Sequence, residues 1–261
     1  MLYFWLEILL AFIVGGLWVS MSTIAADAFG SKVGGLLAGL PSMIFVALFF
    51  IGISEGTSSA VKVASAFPMA YGITVLFLLI YTALARHGYL KAILPAFAVW
   101  FALSSIILAL NLDNAIYSLT VYAIIFLFSY FAMTKLLKVP SLGKARVKAS
   151  TLQKILRGVM GGAVVAFVVF IAKTSGPVYG GVFGALPIVF SSVLTISYSS
   201  RGVEFSRAIA KSLALTGVTT TVYIVAVILS YPTYGVVFGT IISYAIALAS
   251  ATLIYKYMKA V

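Results

Sequence analysis

Few residues in this 261-residue chain could move protons or electron pairs: five acids (Glu7, Asp27, Glu55, Asp113 and Glu204), one histidine (His87) and no cysteine. Thiolate nucleophiles, disulfides and cysteine-ligated metals are excluded, and a zinc site or general acid–base chemistry has too few candidates. Metalloprotease, nucleophile-elbow, P-loop and paired-carboxylate motifs are all missing from the sequence. We therefore expect no enzymatic activity, no metal and no cofactor.

The remaining chemistry lies in the backbone and in isolated charges. Gly34-Gly35 and Gly180-Gly181 each precede a Leu-Pro pair, ending at Pro41 and Pro187, with the same spacing. A proline inside a helix donates no hydrogen bond and displaces the carbonyl four residues back, which points to Leu37 and Phe183 as freed acceptors. In apolar surroundings such a carbonyl must be met by water, a neighbour or a solute. Gly34, Gly35, Leu37, Pro41 and Ser42, with Gly180, Gly181, Phe183, Pro187 and Ser191, form the candidate substrate- or ion-binding set. The competing reading is a packing motif in which the glycines permit close helix contact and the prolines bend the helices. The serines can also bond a carbonyl one turn back. Glu7, Asp27 and Lys173 are candidate gating or coupling groups, because ionisable residues at membrane depth are costly. Each can equally be an interfacial charge, and Glu7 can snorkel outward or face the bundle. For Glu55, Asp113 and Glu204, local ion pairing is the simplest reading.

The elements that must position these residues are membrane spans. Hydrophobic residues make up 63% of the chain and charged ones 8%, far from the usual soluble composition. Nine apolar runs are long enough to cross a ~30 Å hydrocarbon core as helices, near 3–25, 33–53, 63–85, 91–110, 115–136, 154–173, 178–199, 207–230 and 235–257. The fold class expected is all-α and polytopic. The net charge of +12 marks a cytoplasmic face and not a nucleic-acid partner, because basic residues gather beside spans on that side. The stretch from Lys135 to Arg157 holds Lys138, Lys144, Arg146, Lys148 and Lys154 as well. Placing it inside puts the N-terminus outside and the C-terminus in the cytoplasm of a multi-pass plasma-membrane protein.

The chain also repeats itself. An offset of 146 residues aligns 15–56 with 161–202 at 12 identities in 42 without a gap. Both Gly-Gly pairs, the Leu-Pro pair, Gly30 with Gly176 and Gly56 with Gly202 are among the matches. After a one-residue shift, Lys62 meets Arg207 and Gly72 meets Gly217. The expected organisation is a four-helix repeat over 1–112, a linking helix with a basic loop over 113–153, and a second four-helix repeat over 154–261. An odd number of crossings between the copies inverts the second, a 4+1+4 pattern of the kind secondary transporters use.

From about 156 to 257 the chain resembles the GlpM-like family of small four-span inner-membrane proteins. The residues that carry the likeness are Ala172-Lys173-Thr174, Tyr179-Gly180-Gly181, Leu186-Pro187, Arg201-Gly202-Val203-Glu204 and Arg207. The first half looks like a diverged copy, with Asp27 in place of the lysine and no Glu-x-x-Arg. The resemblance implies single copies that pair as antiparallel dimers, here fused. The extra fifth helix is similar in logic to drug and metabolite transporters, an analogy of architecture only. The functional expectation is a secondary transporter of a small solute or ion in the lipid bilayer, with a homodimer possible. The alternatives are an accessory or assembly subunit in envelope or lipid metabolism, and a channel.

Overall fold

In the bilayer every backbone N–H and C=O must be satisfied within the segment itself, so long apolar runs become helices. The computed structural model describes residues 2–28, 40–140 and 151–260. Among the described residues eight α-helices follow in order: α1 (Leu2–Ala28), α2 (Ser42–Leu84), α3 (Tyr89–Ala109), α4 (Ala115–Phe131), α5 (Thr151–Ser175), α6 (Pro177–Gly184), α7 (Ile188–Arg201) and α8 (Val203–Ala260). A 3₁₀ turn, Ala85–His87, joins α2 to α3, and a π turn, Ala132–Leu136, extends α4. No strand occurs among the described residues.

Seven stretches among the described residues are long and apolar enough to cross a membrane, in place of the nine expected. The difference has a local cause. Both α2 and α8 are broken at one glycine at positive φ, Gly56 (86°, 165°) and Gly235 (72°, 179°), with helix resuming directly on either side. The runs expected at 33–53 and 63–85 therefore meet in one element, as do 207–230 and 235–257. Residues 33–39 of the second expected span lie outside the described residues.

Helix ends follow from local chemistry. Asn114 caps α4 by accepting the Tyr117 N–H at 2.9 Å, and Pro177 opens α6, where its missing donor costs nothing. Inside α2, next to Pro68, the Met69 N–H donates to the Ser118 hydroxyl of α4 at 2.8 Å. The segment of α2 after Gly56 is the buried centre, with residues from Ala60 to Thr82 almost all enclosed by the other helices. Large apolar side chains on α1, α3, α4 and α8, such as Leu9, Phe101, Phe128 and Phe238, face outward, as lipid-facing positions do.

The closest helix pair is α1 against α5, and its contacts are reciprocal. A methyl group built on Gly15 would lie 2.8 Å from Val165 Cβ, and one on Gly161 would lie 3.0 Å from Val19 Cβ. On Gly16 it would reach the Gly158 carbonyl at 3.0 Å, and on Gly162 it would collide with the Phe12 carbonyl. Gly15 and Gly161, Gly16 and Gly162, Val19 and Val165, and Phe12 and Gly158 are each 146 residues apart. Early in α1 Phe4 meets Phe170 and Glu7 meets Lys173, whereas later Ser20 meets Gly158, so the two helices run antiparallel.

Candidate functional site

The two proline segments adopt one local form. Leu40 C=O accepts the Ser42 N–H at 2.8 Å, and Leu186 C=O accepts the Ile188 N–H at 2.9 Å. Pro41 sits at φ −75°, ψ 62° and Pro187 at φ −79°, ψ 30°. Pro41 is thus the central residue of an inverse γ-turn, and Pro187 approaches that geometry. Both prolines stand just before a helix begins and not within one. The glycine that ends the following segment is again shared: Gly56 (86°, 165°) and Gly202 (82°, −179°) take the same backbone region, one that is nearly closed to residues with a Cβ.

The carbonyl expected to be free is not free. Phe183 C=O accepts the Leu186 N–H at 3.1 Å, a tightened last turn of α6. The acceptor that the break exposes is Ala185 C=O, and the Thr74 hydroxyl of α2 fills it at 2.5 Å. Thr74 Oγ1 in turn accepts the Trp100 indole N–H of α3 at 2.9 Å. Both side chains are fully enclosed, so this three-helix relay stands where water or a solute was expected.

The glycines of α6 are packing residues. A methyl on Gly181 would lie 2.5 Å from the Val63 carbonyl, and one on Gly180 2.7 Å from Ala172 Cβ. The hydroxyls beside the prolines bond their own chain: Ser42 to Leu40 C=O at 3.2 Å and Ser191 to Pro187 C=O at 2.7 Å. Close in sequence to the two prolines, Met43, Ile44 and Ala47 of α2, Val164, Val165 and Val168 of α5, and Gly184 of α6 line a narrow crevice with no room for a water molecule. Its lining is wholly apolar. Gly34, Gly35 and Leu37 lie outside the described residues, as does the side chain of Asp27.

Charge is concentrated at the two ends of the bundle. At one end Lys173 of α5 donates to Glu7 of α1 at 2.5 Å and lies 3.2 Å from Glu55 of α2. The Lys173 side chain is 11% exposed and its ammonium lies 5.6 Å from the Phe4 ring centroid, within reach of a cation–π contact. Glu7 thus faces the bundle. Glu55 lies in α2 immediately before Gly56.

At the other end, Glu204 of α8 takes Arg86 at 2.7 Å and Arg207 at 2.7 Å. The local pairing expected for Glu204 is present with Arg207. Arg86 is an added partner from the first half of the chain. Arg207, 2% exposed, also donates through Nε to Thr82 C=O at 2.9 Å and through a terminal nitrogen to Leu137 C=O at 3.3 Å. Lys211 reaches Val139 C=O at 3.1 Å. The two cations thereby hold the backbone that leaves the π turn, where carbonyls lack helical donors. Among the described residues, no group of three or more His, Cys, Asp or Glu could hold a metal ion.

Thr74, Trp100 and the tertiary role of Arg207 are what the sequence reading passed over. Only Arg207 carried a signal, as the repeat counterpart of Lys62. No curated protein and no solved structure matches the chain. None of the matches ties the second half to the GlpM-like family that it resembles. Residues 8–112 match a family model described as a protein of unknown function (DUF3147), so the likeness covers less than half of the chain and falls on its first half.

Proposed function

We propose that the chain is a non-enzymatic secondary transporter of a small solute, working by alternating access between two inverted halves. The halves are 1–112 and 154–261, in 4+1+4 order, with the helix at 115–136 as the linker. The observation that carries this reading is the reciprocal antiparallel seam of α1 and α5, in which residue and partner exchange roles at a spacing of 146. Reciprocity of this kind is what a two-fold axis imposes on an interface, and antiparallel helices put that axis in the membrane plane. The shared turn at Pro41 and Pro187 and the shared break at Gly56 and Gly202 support it. The family match ending at 112 supports a unit of that length. Orientation is read from charge: the end with Arg86, Arg207 and Lys211 faces the cytoplasm, and the N-terminus lies outside.

A second reading, an accessory subunit in envelope or lipid metabolism, is favoured by one observation. The crevice at the prolines is apolar, and every hydroxyl named beside it is spent on its own chain.

A thermal-shift screen of solutes, metal ions and lipids on the purified protein separates the two, since a ligand of the native state raises apparent stability. A stabilising solute should then exchange across proteoliposomes, with Pro187→Ala abolishing exchange while the protein stays folded. If no solute raises Tm and none exchanges, the transporter reading fails and the accessory reading stands.

A further inference from the structure

We infer that the two charged ends are latches of opposite build, both engaged in this structure, and that each one gates the crevice at Pro41 and Pro187 from its own membrane face. The inference rests on the transporter reading and specifies how that transporter is closed.

At the first end one cation is held between two carboxylates: Lys173 of the second half takes Glu7 and Glu55 of the first. At the second end one carboxylate is held between two guanidinium groups: Glu204 of the second half takes Arg86 of the first and its own Arg207. The signs are exchanged, and both latches tie the first half to the second. The second latch is reinforced by Arg207 on the Thr82 carbonyl at 2.9 Å and by Tyr81 against the Ser206 hydroxyl at 2.6 Å. The helix from residue 57 to 84 separates Glu55 from Arg86 by ~40 Å at 1.5 Å per residue, so the latches stand on opposite sides of the hydrocarbon core.

Between them the halves meet in a narrow apolar crevice, which excludes water from both directions. The buried cation of each latch, Lys173 at 11% exposure and Arg207 at 2%, is costly to leave unpaired, so a latch opens only if that cation is hydrated or re-paired as the halves separate. Water entering at one end reaches the crevice along the seam between α2 and α5 and leaves the other latch intact. A shut crevice with both latches made is thus the occluded state of the alternating cycle.

The absence of cysteine from the chain makes accessibility labelling clean. Ile44, 4% exposed and part of the crevice lining, is replaced by cysteine in the full chain. Labelling with a membrane-impermeant maleimide is then measured in vesicles of each orientation. Ile44→Cys alone should be protected from both faces. Adding Glu7→Gln and Glu55→Gln should raise labelling on the order of tenfold from the Glu7 face only, and adding Arg86→Gln should do so from the Glu204 face only. Lys173→Gln carries the same expectation as the double glutamine variant if that one does not fold. Unchanged labelling from the unlatched face, or an equal rise from both faces, overturns the proposal. Labelling needs no substrate, so a face-specific rise in a protein that exchanges no solute would keep the latches and reject transport.

Discussion

Thr74 serves three helices through one hydroxyl, donating to Ala185 and accepting from Trp100. Thr82, two turns on, gives its hydroxyl to Leu78 of its own helix at 2.6 Å, where a helical donor already serves that carbonyl. The two threonines read alike in sequence, yet only Thr74 joins other helices through oxygen and nitrogen partners; Thr82 reaches beyond its own helix only to Met133 Sδ at 3.8 Å. Thr74→Val keeps the shape, leaves two buried groups without partners and should cost about 1–2 kcal/mol, the scale of interhelical hydrogen bonds in membranes. Thr82→Val should cost under about 0.5 kcal/mol. Thermal unfolding of both variants in one detergent checks the ordering, and an equal loss would reject the relay. The apolar run around each threonine reveals the span and hides the partner, which depends on where α6 breaks.

The breaks themselves are the element-scale lesson. The expected spans at 91–110 and 115–136 agree closely with Tyr89–Ala109 and with the stretch from Ala115 to Leu136, because caps and polar residues flank them. Spans two and three run together because the polar run Ser54-Glu55-Gly56-Thr57-Ser58-Ser59 stays helical on both sides of the single break at Gly56, so a boundary that hydropathy marks is not a loop. The repeat alignment did single out Gly56 and Gly202, and the backbone they share is what only glycine adopts at low cost. A Cβ at either position would meet no atom within 4 Å, so alanine there pays a purely conformational cost. Gly56→Ala and Gly202→Ala should each lose about 1–3 kcal/mol, lowering Tm by roughly 2–10 °C, and the two losses should be similar. A loss at one position and none at the other would argue against equivalent breaks. The expectation for Phe183 failed for a related reason: Pro187 starts a helix, so it withdraws no donor from a running turn.

Across the bundle, Glu7, Glu55 and Lys173 gather at one end, 166 and 118 residues apart in the paired contacts. Their mutual pairing was out of reach, because sequence separation of that size says nothing about which charges meet. Helix α3 spans Tyr89–Ala109, ~32 Å at 1.5 Å per residue, with exposed His87 before it and exposed Asp113 after it. In the cysteine-free background, His87→Cys should react with an impermeant maleimide only from the cytoplasmic side, and Asp113→Cys only from the outer side. Reaction of both from one side would sink the topology.

The reciprocal seam of α1 and α5 also bears on how such a chain can diverge. In a two-fold pair of identical subunits every substitution is made twice, once on each side of the membrane, so the two faces must stay chemically alike. Joined in a single polypeptide, the halves escape that rule: lysine stands at 173 while its counterpart at 27 is aspartate. In the inverted reading, fusion is what lets one membrane face carry a cation between carboxylates while the other carries a carboxylate between cations. Such an asymmetry gives a molecule built on a symmetric frame a preferred direction.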